Sequence, residues 1–106
     1  MRKIEQDMLK ALRDRRDWKA GNTAVHFTTL PNDRGHSRPQ AVVTLHGNPI
    51  AVLRSDGTLS ARLDTFERWT TSTTASRLRA LGFGASIRGG EPHLDRTKIT
   101  ARNQED

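Results

Sequence analysis

The sequence predicts a single α+β domain: an N-terminal helix, a four-stranded antiparallel meander, a second helix and a closing β-hairpin. Three observations lead there. Apolar residues recur at helical spacing near the start of the chain and again around Leu78. Between residues 23 and 63 they alternate at strand spacing, and turn dipeptides separate the blocks. A chain of 106 residues also suits one domain, which typically holds about 100–150.

Taken in order, residues 3–17 read as an amphipathic helix. Ile4, Met8, Ala11 and Leu12 share one face, and Lys3, Asp7, Lys10, Arg13, Asp14 and Asp17 the other. Gly21-Asn22 is the expected stop, with Trp18 packed as a lid on the helix end. Residues 23–30 alternate around Val25 and Phe27 and are rich in threonine, which favours a strand. Residues 31–39 are a loop by composition. Strands follow at 41–45 and 50–54, joined through Gly47-Asn48-Pro49. Asp56-Gly57 marks a hairpin because both residues tolerate positive φ. Residues 58–63 make the fourth strand, with Leu59, Ala61 and Leu63 on one face.

Asp64 to Trp69 fits one helical turn, capped by Asp64 with Glu67 reaching back. The run Thr70-Thr71-Ser72-Thr73-Thr74 offers N-caps to a helix over 73–81. Its buried stripe is Leu78 and Leu81, helped by Ala75, set against strands carrying Val42, Val52 and Leu59. Gly82 ends it. Residues 83–88 and 91–94 flank Gly89-Gly90 as a hairpin. The domain is expected over 1–95, with 96–106 as a polar, mobile tail.

Composition removes several function classes. Without cysteine there is no disulfide, thiolate metal site or thiol nucleophile. No apolar run approaches the roughly 20 residues of a membrane span, and the basic start has no apolar signal core behind it. His26, His36, His46 and His93 are too scattered for a metal site, and His46 reads as a turn residue. No phosphate-binding loop, nucleophile elbow or metalloprotease motif is present. The expectation is a non-enzymatic protein with no cofactor, no metal and no membrane contact. Its thin core leaves room for a homodimer.

The charge carries the functional signal. Net charge is +6, and 14 of the 18 basic residues are arginine. Residues 1–20 hold seven bases against four acids, and residues 54–88 hold six against three. Arginine grips phosphate bidentately and stacks on bases, so DNA or RNA backbone is the expected partner. The candidate contacts fall in two groups. Arg13 and Arg16 lie beside Trp18. Thr73, Thr74, Arg77 and Arg79 sit at and after the start of the second helix, where free N–H groups attract anions. Arg77 and Arg79 are expected to flank the buried stripe in solvent, and Arg88 closes the same basic segment.

Three short motifs carry a resemblance: Trp18-Lys19-Ala20-Gly21-Asn22-Thr23, Leu45-His46-Gly47-Asn48-Pro49-Ile50-Ala51, and the helix beginning Arg68-Trp69-Thr70-Thr71 and running through Ser76-Arg77-Leu78. Together the chain resembles small uncharacterised proteins of tailed bacteriophages that have an LHGNxIA hairpin and a TTxSRL helix. The resemblance implies a phage-encoded protein acting in the cytoplasm of the bacterial host. It also leaves a second role open, a protein-binding inhibitor of a host enzyme or defence complex, of the anti-CRISPR or anti-restriction type.

Overall fold

The computed structural model describes residues 2–31, 37–54 and 56–99. Helix α1 (Lys3–Asp14) leads into β1 (Trp18–Ala20), β2 (Thr23–Pro31), β3 (Ser37–Leu45), β4 (Asn48–Leu53) and β5 (Leu59–Ala61). Then come α2 (Leu63–Arg68), α3 (Ser72–Ala80), β6 (Ala85–Arg88), β7 (Glu91–Leu94) and β8 (Lys98–Ile99). The strands form a six-stranded antiparallel sheet in the order β1-β2-β3-β4-β5-β8, and β6 and β7 pair as a separate hairpin. The architecture is the mixed α+β meander with a closing hairpin that the patterning indicates. No helix among the described residues is long and apolar enough to cross a membrane.

The core lies between one face of the sheet and the helices. Val25, Ala41, Val43, Leu45, Ile50, Ala51 and Leu59 face inward, and Met8, Ala11, Phe66, Ala75, Leu78 and Leu81 meet them. A register shift between Val43 and Thr44 leaves Ile50 as an extra residue on β4. This bulge lets two consecutive residues, Ile50 and Ala51, both be buried, which a regular strand forbids. Val43 and Ala51 therefore face the helices, whereas Val42 and Val52 point to the other side of the sheet.

Several boundaries differ from the sequence reading, each for a local reason. Helix α1 stops at Asp14 because Arg15 takes a left-handed conformation (φ 56) and its N–H bonds back to the helix. Gly21-Asn22 is instead the turn between β1 and β2, with Trp18 opposite Val25 and Ala20 opposite Thr23. Trp18 is a half-buried strand residue rather than a helix lid. The stretch read as a loop is partly strand: β2 runs to Pro31 and pairs it with Ser37, while residues 32–36, His36 among them, lie outside the described residues.

The strand expected over 58–63 is the short β5, three residues long. Leu63 opens α2 and is 38% exposed, so it does not share the inward face of Leu59. Asp64 is not the N-cap, a place Arg62 takes, and its carboxylate accepts two hydrogen bonds from the Arg62 guanidinium. Helix α3 begins at Ser72, with Thr71 as the N-cap whose hydroxyl accepts from the Thr74 N–H. Beyond Asp95 the chain returns to the sheet. Lys98 pairs with Ser60, and Ile99 pairs with Leu59 and is 4% exposed. The polar tail expected from residue 96 thus contributes a strand, and residues 100–106 lie outside the described residues.

Candidate nucleic-acid interface

The head of α3 opens onto a cavity of about 260 Å³. Two of the motif segments meet there. One is the β3–β4 turn, where His46 (φ 53) and Gly47 (φ 81) take the left-handed pair that a two-residue hairpin needs. The His46 N–H donates to the Asn22 carbonyl at 2.7 Å, which locks this turn to the β1–β2 turn. Exposed His46 and half-buried Asn48 form one wall. The other wall is the break between α2 and α3, carrying Trp69, Thr71, Thr73 and Thr74, over a floor of Leu45 and Ile50.

That break is fixed by hydrogen bonds. The Trp69 N–H donates to Thr65 O, the Thr71 N–H to Trp69 O, and the Thr70 hydroxyl to Phe66 O. Trp69 is 40% exposed and lines the cavity wall, and the Arg68 guanidinium lies 5.4 Å from its ring centre. In the first turn of α3, Thr71 takes the Thr74 N–H with its hydroxyl and the Ala75 N–H with its carbonyl. The N–H groups of Ser72 and Thr73 remain for an outside acceptor. A second concavity of about 280 Å³ shares His46 and reaches Lys19 and Asn22. The two hollows share only His46: the first lies on the helix side of the sheet, and Lys19, Ala24 and Thr44 of the second belong to the opposite face.

The residues singled out from sequence do not assemble into one site. Thr73 and Thr74 line the cavity, but the Thr74 side chain is buried and its hydroxyl pairs with that of Thr71. Arg77 is withdrawn altogether. It is 3% exposed, donates from Nη1 to Glu5 Oε2 at 2.8 Å and from Nε to Thr23 Oγ1 at 3.0 Å, and cannot reach a phosphate. The expectation of a solvent-facing Arg77 fails because α1 and β2 close over that side of α3. Arg79 is exposed, and one of its nitrogens donates to the Ala85 carbonyl. Arg13, Arg16 and Arg88 are exposed, and none of them lines either hollow.

Sequence reasoning missed Trp69 with Arg68, and the meeting of His46 and Asn48 with the threonine run. An Arg-Trp pair directly ahead of a run of N-cap residues was the available signal. The buried Glu5 was also missed. Its signal was position, since it falls on the apolar face of α1 beside Met8. Burial opposes the Glu5 charge most strongly, but hydrogen bonds from Ser76 and Arg77 outweigh it and hold the carboxyl below its usual range. Among the described residues, no group of three or more His, Cys, Asp or Glu lies together to hold a metal ion.

Compared with known proteins, residues 1–100 match the family model described as Kyanoviridae Gp96 protein, a bacteriophage family. No curated protein and no solved structure matches the chain.

Proposed function

The chain belongs to the Kyanoviridae Gp96 protein family, and on that footing we propose that this phage protein binds single-stranded nucleic acid without catalysing a reaction. A base stacks on Trp69, and the adjoining phosphates lie at the head of α3 and pass the His46 turn toward Lys19. The observation that carries this reading is the exposed Trp69 at the wall of a polar-edged cavity. A fold this short of apolar side chains gains by burying a Trp, so one held out at a hollow has the position of a stacking platform.

Three features support the rest. Arg68 beside the ring adds a cation where a phosphate would follow a stacked base. The free N–H groups of Ser72 and Thr73, with the Thr73 hydroxyl, suit an anion at a helix start. His46 and Asn48 supply donors and acceptors to a base edge on the facing wall. Phosphate contacts of this kind carry no sequence information, so specificity is low.

The test is fluorescence anisotropy at low salt with labelled oligothymidylate, oligouridylate and a duplex, followed alongside by indole emission. Single strands bind and quench the emission. Trp69→Ala loses about 1–3 kcal/mol of binding, the usual worth of one stacked base. Absence of single-strand binding at low salt, or undiminished binding by Trp69→Ala, overturns the reading.

A further inference from the structure

A larger groove, about 570 Å³, lies at the opposite end of α3 from the Trp69 cavity. Its floor is Leu53, Leu59 and Leu81, and the half-buried Leu9 and Leu12 of α1 form one wall. Arg13 and Arg15 stand on the rim of that wall, exposed, and their guanidinium groups have no hydrogen bond or ion pair among the described residues. We propose that this groove docks a protein segment of acidic amphipathic helical character, with leucine-like side chains on the floor and carboxylates on the two arginines.

Charge and polarity together select that occupant. A nucleic acid could use Arg13 and Arg15, but its phosphates and sugars find no partner on a floor of leucines. A basic segment meets two unpaired cations of its own sign. Only a chain that is apolar on one side and anionic on the other satisfies both the floor and the rim, which is the helix-in-groove mode of recognition. Unpaired arginines at a rim of apolar side chains also suit strong, oriented carboxylate contacts.

Two internal occupants fit less well. Residues 100–106 follow Ile99, whose side chain lies against Gly82 at the groove, but they read Thr-Ala-Arg-Asn-Gln-Glu-Asp and bring only one small apolar residue. A second copy would have to offer an acidic amphipathic helix, and the apolar face of α1 is already spent in its own core.

The probes are two fluorescein-labelled helical peptides with leucines at i, i+3, i+4 and i+7, one with glutamates elsewhere and one with lysines. Anisotropy with the full chain shows the glutamate peptide bound at least about tenfold more tightly than its lysine twin. Arg13→Glu with Arg15→Glu reverses that order. Amide shifts on binding fall on Leu9, Leu12, Leu53 and Gly57, not on His46 or Trp69. Equal binding of the two peptides, or none, overturns the proposal, as do shifts elsewhere. So does binding that appears only after residues 100–106 are removed, which makes the tail the occupant. Displacement of the peptide by oligothymidylate overturns it too, because the groove is then a nucleic-acid surface.

Discussion

Arg77 and Glu5 form an ion pair buried between α3 and α1, Nη1 to Oε2 at 2.8 Å and 72 residues apart in sequence. The same guanidinium donates to Thr23 on β2, and the Ser76 hydroxyl donates to the same carboxylate oxygen. Four polar side chains thus fasten both helices to the sheet inside an otherwise apolar layer. Forming such a pair adds little net stability because both charges must leave water, but removing one partner strands the other.

Arg77→Ala therefore costs about 3–5 kcal/mol, a large part of the roughly 5–15 kcal/mol a domain has. Arg79→Ala, two positions on, removes one bond from an exposed side chain to the Ala85 carbonyl and costs about 1 kcal/mol. Urea denaturation of the two variants separates them. Equal losses mean that the Glu5 contact is not formed in solution.

The Glu5 carboxyl is held below its ordinary value of 4.5 in the folded chain, so the folded state binds its proton less readily than the unfolded state does. The stability this supplies is complete above about pH 4.5 and is lost as pH falls through the folded value. Melting temperature measured from about pH 3 to pH 6 should fall on the acid side. Glu5→Gln is less stable at neutral pH, with part of that acid slope removed. An unchanged slope in Glu5→Gln assigns the acid sensitivity to other carboxyls.

The elements were legible where the chemistry is local. Gly89-Gly90 announces its hairpin because two adjacent residues there take positive φ, and Asp56-Gly57 because Gly57 takes positive φ and the Asp56 carboxylate accepts the Thr58 N–H. The Leu78 and Leu81 stripe announces its face because helical spacing is periodic. What could not be read depends on distant partners. Nothing near Arg77 says that Glu5 and Thr23 will enclose it, so its neighbours suggested a surface residue. Ile99 looks like part of a polar tail until Leu59 is placed beside it. The Trp69 cavity needs the β3–β4 turn and the α2–α3 break to meet, and that meeting is a property of the sheet order.

Ile99 provides a direct check on the sixth strand. Its side chain is buried against β5 and lies where a Cβ on Gly82 would come within 2.9 Å of it. Gly82 also has φ 106, a backbone conformation that side chains disfavour. Ile99→Ala is expected to cost about 2–5 kcal/mol, as for other large-to-small core changes. Gly82→Ala destabilises through both the contact and the backbone. A chain ending at residue 95 melts lower than the full chain. If it melts at the same temperature, β8 is an ornament and the domain closes at β7.

The salt response separates the residues that touch phosphate from those that only raise the net charge. Each phosphate contact on a single strand releases counterions, giving a log–log slope of affinity against salt of about −0.7 per contact. If the strand runs from Trp69 past the His46 turn to Lys19, Lys19→Ala and Arg68→Ala each weaken binding about equally for every sequence. Each also flattens the slope by about 0.7. Trp69→Ala removes stacking, which is uncharged, so affinity falls while the slope stays. Arg13→Ala lies on the leucine groove and leaves both unchanged. Measuring affinity at several salt concentrations for these four variants gives a pattern that net charge alone cannot reproduce. If all three cation variants flatten the slope alike, binding is diffuse and no defined path past His46 carries the strand. If Trp69→Ala flattens it as well, the indole positions a charged side chain rather than stacking a base.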